Sequence, residues 1–332
     1  MSVANETKIN PMWDMYPEIK EELIRCKTFM LDTVDIPNTD VRNEVLKLIN
    51  EDAKFIRPAL MVMIGKMNNN GERLEDDFIK IAATLEMLHM ATLIHDDIVD
   101  DSPKRRGFES MQSRLGKDIA VYAGDYMLST VFSNIVKYAK TMENIEKITK
   151  TVREILAGEL IQMEYRKNFE IDEEIYYKII RGKTAVMIAL CCYEGAYMTG
   201  RKDIAEKAWK FGESVGMAFQ MLDDIIDLTV DPQFAKKPVN QDFKEGNFTL
   251  PIIKAKELYK KELMNISEKN IYTKEINIKI RNIVNSSGGL NYAKSISEDY
   301  SKEAIFILDN FGNCKYKKYL SELISKMLNR KY

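Results

Sequence analysis

Residues 78–100 read FIKIAATLEMLHMATLIHDDIVD, and this stretch decides the fold. Phe78, Ile81, Ala82, Leu85 and Leu88 recur at spacings of three and four, the stripe of a helix that faces a core. The run closes on Asp96-Asp97-Ile98-Val99-Asp100, so an apolar helix delivers carboxylates at its end. At 3.6 residues per turn, Asp96 and Asp100 project from one face. The pattern returns as Asp223-Asp224-Ile225-Ile226-Asp227, again behind an apolar approach, GMAFQML. Such carboxylates repel and raise each other's pKa unless a hard divalent cation holds them. Mg2+ takes one or two carboxylates plus phosphate oxygens and water, so two such clusters point to several Mg2+ around a diphosphate. The competing reading is a solvated acidic face. Repetition and the apolar approach favour the metal site.

Outward from these motifs, the periodicity is helical throughout. Ile148, Val152, Ile155 and Leu156 form a second stripe, and no proline falls between Pro103 and Pro232. The spacing predicts helices over 18–33, 40–67, 75–100, 117–141, 143–167, 172–199, 202–229, 248–266, 274–286, 289–310 and 316–329. Nothing alternates as a strand, and no fixed-period repeat suggests a solenoid. The expectation is one all-α bundle, a single domain over 1–332. The richest loops, 101–116 and 230–247, each follow an acidic cluster, where function usually sits.

Composition bounds the partners. A 45% hydrophobic content supports a sizeable core, and 49 basic against 51 acidic residues argue against nucleic-acid binding driven by bulk charge. No segment approaches 18 consecutive apolar residues, and MSVANETKIN has neither a basic n-region nor an apolar h-region. The expectation is therefore a soluble, unexported, cytoplasmic chain with no transmembrane segment, adjacent to a membrane at most. Cys26, Cys191, Cys192 and Cys314 lack metal-ligand spacing and read as reduced thiols. Gly-rich phosphate loops, dinucleotide fingerprints and nucleophile elbows are missing.

A diphosphate also needs cationic side chains. Lys104-Arg105-Arg106-Gly107 follows Asp100 closely, and arginine offers a planar fork suited to phosphate oxygens. A plain basic surface turn is the alternative. Lys54 and Arg57 stand at i and i+3 before Pro58, which predicts two cations on one helix side. His89 and His95 precede the first aspartate; the carboxylates favour oxygen-seeking Mg2+, so diphosphate contact or a core role suits them better than metal ligation.

Taken together, LIHDDIVDDSPKRRG, FQMLDDIID and KKPVNQDFKEGNFTLP resemble the trans-polyprenyl diphosphate synthases of the isoprenoid synthase family, from about residue 50 to 255. The resemblance implies an all-α barrel around a deep central cavity, a homodimer, and two acidic motifs facing across its mouth. It implies that Asp96, Asp97, Asp100, Asp223, Asp224 and Asp227 organise Mg2+, three ions in the substrate-bound state, around an allylic prenyl diphosphate. Arg105 would face that diphosphate, whereas Lys54, Arg57, His89 and Arg106 match the isopentenyl diphosphate site. Lys183-Thr184, Gln220 and Lys237 match further catalytic positions, and Asn329 to Tyr332 a closing tail.

The chain departs from the family pattern at Asp52, Ala53 and Phe55 around the first lysine, at Phe108-Glu109-Ser110, and at Asn247. Family members set product length by bulk below the first acidic motif, and here Ala91 and Thr92 leave no aromatic plug, with Met87, Leu88 and Thr84 deeper and Phe132 a candidate floor or an ordinary core residue. One turn of about 5.4 Å matches roughly one extended isoprene unit. The expectation is a product longer than farnesyl, from geranylgeranyl to a medium or long polyprenyl chain. Two other readings stay open: a class I terpene cyclase on the same scaffold, and a catalytic or regulatory subunit of a heteromeric prenyl synthase.

Overall fold

The long periodic runs fold as helices. A computed structural model describes residues 7–50, 54–105, 107–229 and 240–328. Its helices are α1 (Pro17–Thr33), α2 (Thr39–Asn50), α3 (Ile56–Asn68), α4 (Asp76–Val99), α5 (Met111–Leu115), α6 (Lys117–Tyr138), α7 (Met142–Glu164), α8 (Glu173–Ile180), α9 (Val186–Tyr197), α10 (Lys202–Thr229), α11 (Gln241–Glu245), α12 (Leu250–Lys269), α13 (Lys274–Ser286), α14 (Gly289–Asp309) and α15 (Lys315–Leu328). Strand structure among the described residues is one hairpin, β1 (Lys104–Arg105) with β2 (Phe108–Glu109), in which Lys104 faces Glu109 and Arg105 faces Phe108. That hairpin and the short α5 and α11 lie in the two segments expected to be loops.

The run expected as one helix over 40–67 is instead two. Phe55 has φ 51°, a left-handed conformation that a helix interior does not admit, and α3 starts directly after it. The Trp13 indole N–H donates to the Lys54 carbonyl at 2.8 Å, holding that turn. Lys54 therefore precedes the helix, and the expected same-side helical pairing with Arg57 does not form. The run expected over 172–199 stays helical but contains a π turn, Arg181–Ala185, between α8 and α9.

The chain divides into two compact units. Residues 1–148, 191–205 and 314–319 form the first, and the remainder the second. In the first unit α1, α3 and α6 pack on α4. Every residue from Ile81 to Leu88 is buried, so α4 is a core helix covered all round, beyond the one-sided stripe legible in its sequence. It is the one described helix long and apolar enough to cross a membrane, and 72% of its apolar window is buried inside the protein. Helix α6 reaches it at Gly124, where a Cβ would lie 2.4 Å from His95 Nε2. Any side chain there would have to push the imidazole aside. His95 is then held by Asp125 at 3.2 Å.

In the second unit α12 packs against α8, α13 and α14. Phe243 and Phe248, with ring centroids 5.4 Å apart, and Phe169, 4.0 Å from Phe248, anchor the segment that follows the second acidic motif. Burying aromatic rings of this kind contributes roughly 2–3 kcal/mol each, enough to hold a five-residue helix such as α11 that could not form alone. Cys26, Cys191 and Cys192 are buried and Cys314 is exposed, all as free thiols.

Candidate active site

In the first unit, the acidic run at the end of α4 divides its labour. Asp97 is 5% exposed and points into the protein. Arg105 Nε donates to both of its oxygens at 2.8 Å, and Arg105 Nη2 lies 2.7 Å from Oδ1. Charge-assisted bonds from a planar fork orient both partners. Asp96 and Asp100, one turn apart, remain half-buried. The family departures nearby have structural work. Ser110, buried, donates through Oγ to the Ser102 carbonyl at 2.6 Å, and Ser102 N donates to the Asp97 carbonyl at 2.9 Å. The Lys47 ammonium lies 4.9 Å from the Phe108 ring centroid. The arginine and serine bonds tie the hairpin segment to the end of α4, and the lysine contact ties it to α2.

Below the motif, Met87, Leu88 and Ala91 are buried, and Thr92 is half-buried with its Oγ1 donating to the His89 carbonyl at 2.8 Å. His89 is half-buried and Lys54 exposed. Arg57 is half-buried with its Nε enclosed and without a hydrogen-bond acceptor among the described residues. Phe132 on α6 is 40% exposed. It is therefore not a buried core residue.

In the second unit, a polar relay runs through the second motif. Thr184 Oγ1 donates to Gln220 Oε1 at 2.7 Å, Gln220 Nε2 donates to Asp224 Oδ1 at 2.9 Å, and the buried Tyr176 hydroxyl donates to Asp224 Oδ2 at 2.6 Å. Asp224 is 4% exposed, and burial pushes its pKa up to about 7 although both hydrogen bonds pull it down. Asp227 accepts from the backbone N–H groups of Gln241 at 3.0 Å and Asp242 at 3.2 Å, so it docks the first turn of α11. Burial raises its pKa too, and raises that of Asp242 further, with Asp224 and Asp227 adding repulsion. Asp223 is half-buried. Each motif thus has a buried middle aspartate committed to protein donors, with its outer aspartates half-buried.

No cluster of three or more His, Cys, Asp or Glu among the described residues is arranged as a ready metal cage. Mg2+ needs only one or two carboxylates when phosphate and water complete its shell, so Asp96 with Asp100 fits an ion that arrives with substrate. The crowded carboxylates around Asp242 are the same donor type.

Lys183 and Thr184 lie in the π turn; Lys183 Nζ donates to Glu159 Oε2 at 2.8 Å and to Gln162 Oε1 at 2.9 Å. Arg106, Lys237, Asp52, Ala53 and Asn329 to Tyr332 lie outside the described residues. Asn247 keeps a loop bond, donating to Glu245 at 3.3 Å. The sequence reading missed Tyr176, Glu159, Gln162 and Asp242. Asp242 stood in a quoted motif, whereas Tyr176, distant in sequence from its aspartate, gave no signal.

A family model described as polyprenyl synthetase matches residues 39–285. The heptaprenyl diphosphate synthase component 2 of Bacillus subtilis (strain 168) is 29% identical over 319 residues, covering 92% of this chain and 90% of that protein. The structure of a geranylgeranyl pyrophosphate synthase from Lactobacillus brevis ATCC 367 superposes with TM-score 0.88 at 30% identity, covering 96% of this chain and 99% of that one. A polyprenyl synthase from Caulobacter crescentus CB15, complexed with calcium and isoprenyl diphosphate, gives TM-score 0.86 at 25% identity, with 99% of each chain covered.

Proposed function

The chain belongs to the polyprenyl synthetase family, with the isoprenoid synthase fold of prenyltransferases, and from that premise we propose that it condenses isopentenyl diphosphate with an allylic prenyl diphosphate. The observation that carries this reading is the division within each acidic motif. Asp97 and Asp224 are buried and bonded to protein side chains, while Asp96, Asp100, Asp223 and Asp227 are half-buried, Asp227 also holding the first turn of α11. The aspartates of the two motifs would hold divalent cations, three in the substrate-bound state, which would supply positive charge to offset that of the diphosphate. The Caulobacter relative's complex with calcium and isoprenyl diphosphate supports this.

Arg105, steered by Asp97, meets the allylic diphosphate, and Lys183 with Lys237 takes charge on its departure. The aligned dipoles of Thr184 and Gln220 face the developing cation. Lys54, Arg57, His89 and Arg106 hold isopentenyl diphosphate, whose double bond attacks the cation; the proton then leaves the adduct to the departed diphosphate. Apolar α4 residues around Ala91 receive the growing chain and keep water from the cation. Without an aromatic at 91 or 92 the product exceeds farnesyl, in line with the geranylgeranyl and heptaprenyl synthases among its relatives.

One family model spanning 39–285 supports a single catalytic domain. Tyr122 on α6 is 75% exposed, Val136 69%, and Met142 on α7 70%, an apolar surface that a homodimer would cover. The cytoplasm, with delivery of product to a membrane, fits such an enzyme. The relative named component 2 favours a second reading, in which the chain is one subunit of a heteromeric synthase.

The test is to incubate the purified chain with Mg2+, isopentenyl diphosphate and each of dimethylallyl, geranyl, farnesyl and geranylgeranyl diphosphate, and to weigh the products. A ladder of all-trans products establishes elongation and its length. Cyclic hydrocarbon supports a cyclase, and inactivity of the chain alone moves the case to a partner subunit.

A further inference from the structure

Helix α7 and the π turn approach each other through two glycines. A Cβ on Gly182 would stand 2.8 Å from Gly158 Cα, and one on Gly158 would stand 2.8 Å from Lys183 N. Nothing larger than glycine fits at either place. The turn is pinned on one side by Arg181, which donates to Glu154 at 3.0 Å and to Glu213 at 2.5 Å. Next to the glycine contact stands Glu159, and Gln162 follows at i+3 on the same face of α7. Both accept from Lys183 Nζ, at 2.8 and 2.9 Å.

Lysine is a compact charge on a flexible four-carbon stem, so its direction is set by its acceptors. Here the pair is well shielded: the side chains of Lys183 and Glu159 are 29% and 17% exposed. A simple surface ion pair would neither need two acceptors on one helix face nor a glycine-to-glycine approach to bring the helix and turn together. The widened π turn adds to this, since such turns redirect side chains locally. Lys183 also acts on the acidic side of the site, where its charge offsets the raised pKa of Asp242.

We infer that Glu159 and Gln162 are positioning residues for Lys183, fixing its ammonium where a diphosphate leaving group is received. The inference rests on the prenyl-transfer reading above and deepens it. Neither residue touches substrate; both act through the lysine.

The test uses the full chain and inorganic pyrophosphate with Mg2+, followed by calorimetry, so that no turnover is needed. Glu159→Gln keeps the volume and removes the charge. It should weaken pyrophosphate binding about tenfold in the native background and less than twofold in a Lys183→Met background, since coupled partners are non-additive. Gln162→Met should lose about threefold, again only when Lys183 is present, and it carries the test if Glu159→Gln does not fold. In turnover, Glu159→Gln should lower kcat while KM for isopentenyl diphosphate stays. Equal weakening in both backgrounds, or none in either, overturns the inference while the wild-type binding keeps the prenyl-transfer reading intact. Failure of the wild-type chain to bind pyrophosphate overturns both.

Discussion

Glu194→Gln should stabilise the protein, by an amount that grows with pH. Glu194 on α9 and Asn144 on α7 are both fully buried, and Asn144 Nδ2 donates to Glu194 Oε1 at 2.6 Å. The other two polar atoms of the pair, Glu194 Oε2 and Asn144 Oδ1, have no hydrogen-bond partner among the described residues. A proton on the acid is the donor that this pair lacks, and it also removes a buried charge. Burial raises the Glu194 pKa from 4.5 to about 8, against opposing pulls from the Asn144 hydrogen bond and the Lys147 charge.

The sign follows from linkage. The folded state holds the proton up to about pH 8, whereas the unfolded chain releases it near 4.5. Stability from this group is therefore full below the unfolded value and is lost as pH rises through the folded one. Integrating gives a loss of about 3 kcal/mol at pH 7 and about 5 kcal/mol above pH 9, as orders of magnitude. A glutamine keeps the shape, adds a donor and does not titrate. Urea unfolding of both proteins from pH 4 to 9 should show curves that coincide in acid and separate with rising pH. Parallel profiles, or a variant less stable at every pH, would refute a neutral buried acid.

Ala91→Phe should shorten the product by at least one isoprene unit, read by mass spectrometry; an unchanged length would remove Ala91 from the chain-length pocket. Arg105→Lys exchanges a bidentate fork for a point charge, and KM for the allylic substrate should rise about tenfold; unchanged kinetics would show that the Asp97 pair serves only the fold. Tyr176→Phe removes a hydrogen bond that lowers the Asp224 pKa. Asp224 should then ionise at higher pH, so the acid limb of the rate profile should move upward, with kcat/KM near pH 6 down about tenfold. An unmoved limb would separate Asp224 titration from turnover.

Much of this protein is legible from its order of residues because helical periodicity and capping are local. The apolar stripe from Phe78 to Leu88 and the missing prolines between 103 and 232 led to helices that the structure has at nearly the same bounds. The aspartates were visible for the same reason, since spacing on one helix needs no partner. The break at Phe55 was not, because a left-handed residue held by Trp13, 41 positions away, depends on a tertiary hydrogen bond. The exposure of Phe132 was not legible either, because residue type and spacing do not say which way a helix is turned.

By itself, then, the sequence determined most of the helices and the place of the two acidic clusters on them. Tertiary structure alone decided which distant donors reach these aspartates: Arg105 for Asp97, Tyr176 and Gln220 for Asp224, and the first turn of α11 for Asp227. It also decided that Lys183 answers to Glu159 and Gln162. Burial and hydrogen bonding are properties of neighbours brought together by the fold, and the helix that carries a residue contains no record of which distant donor will reach it.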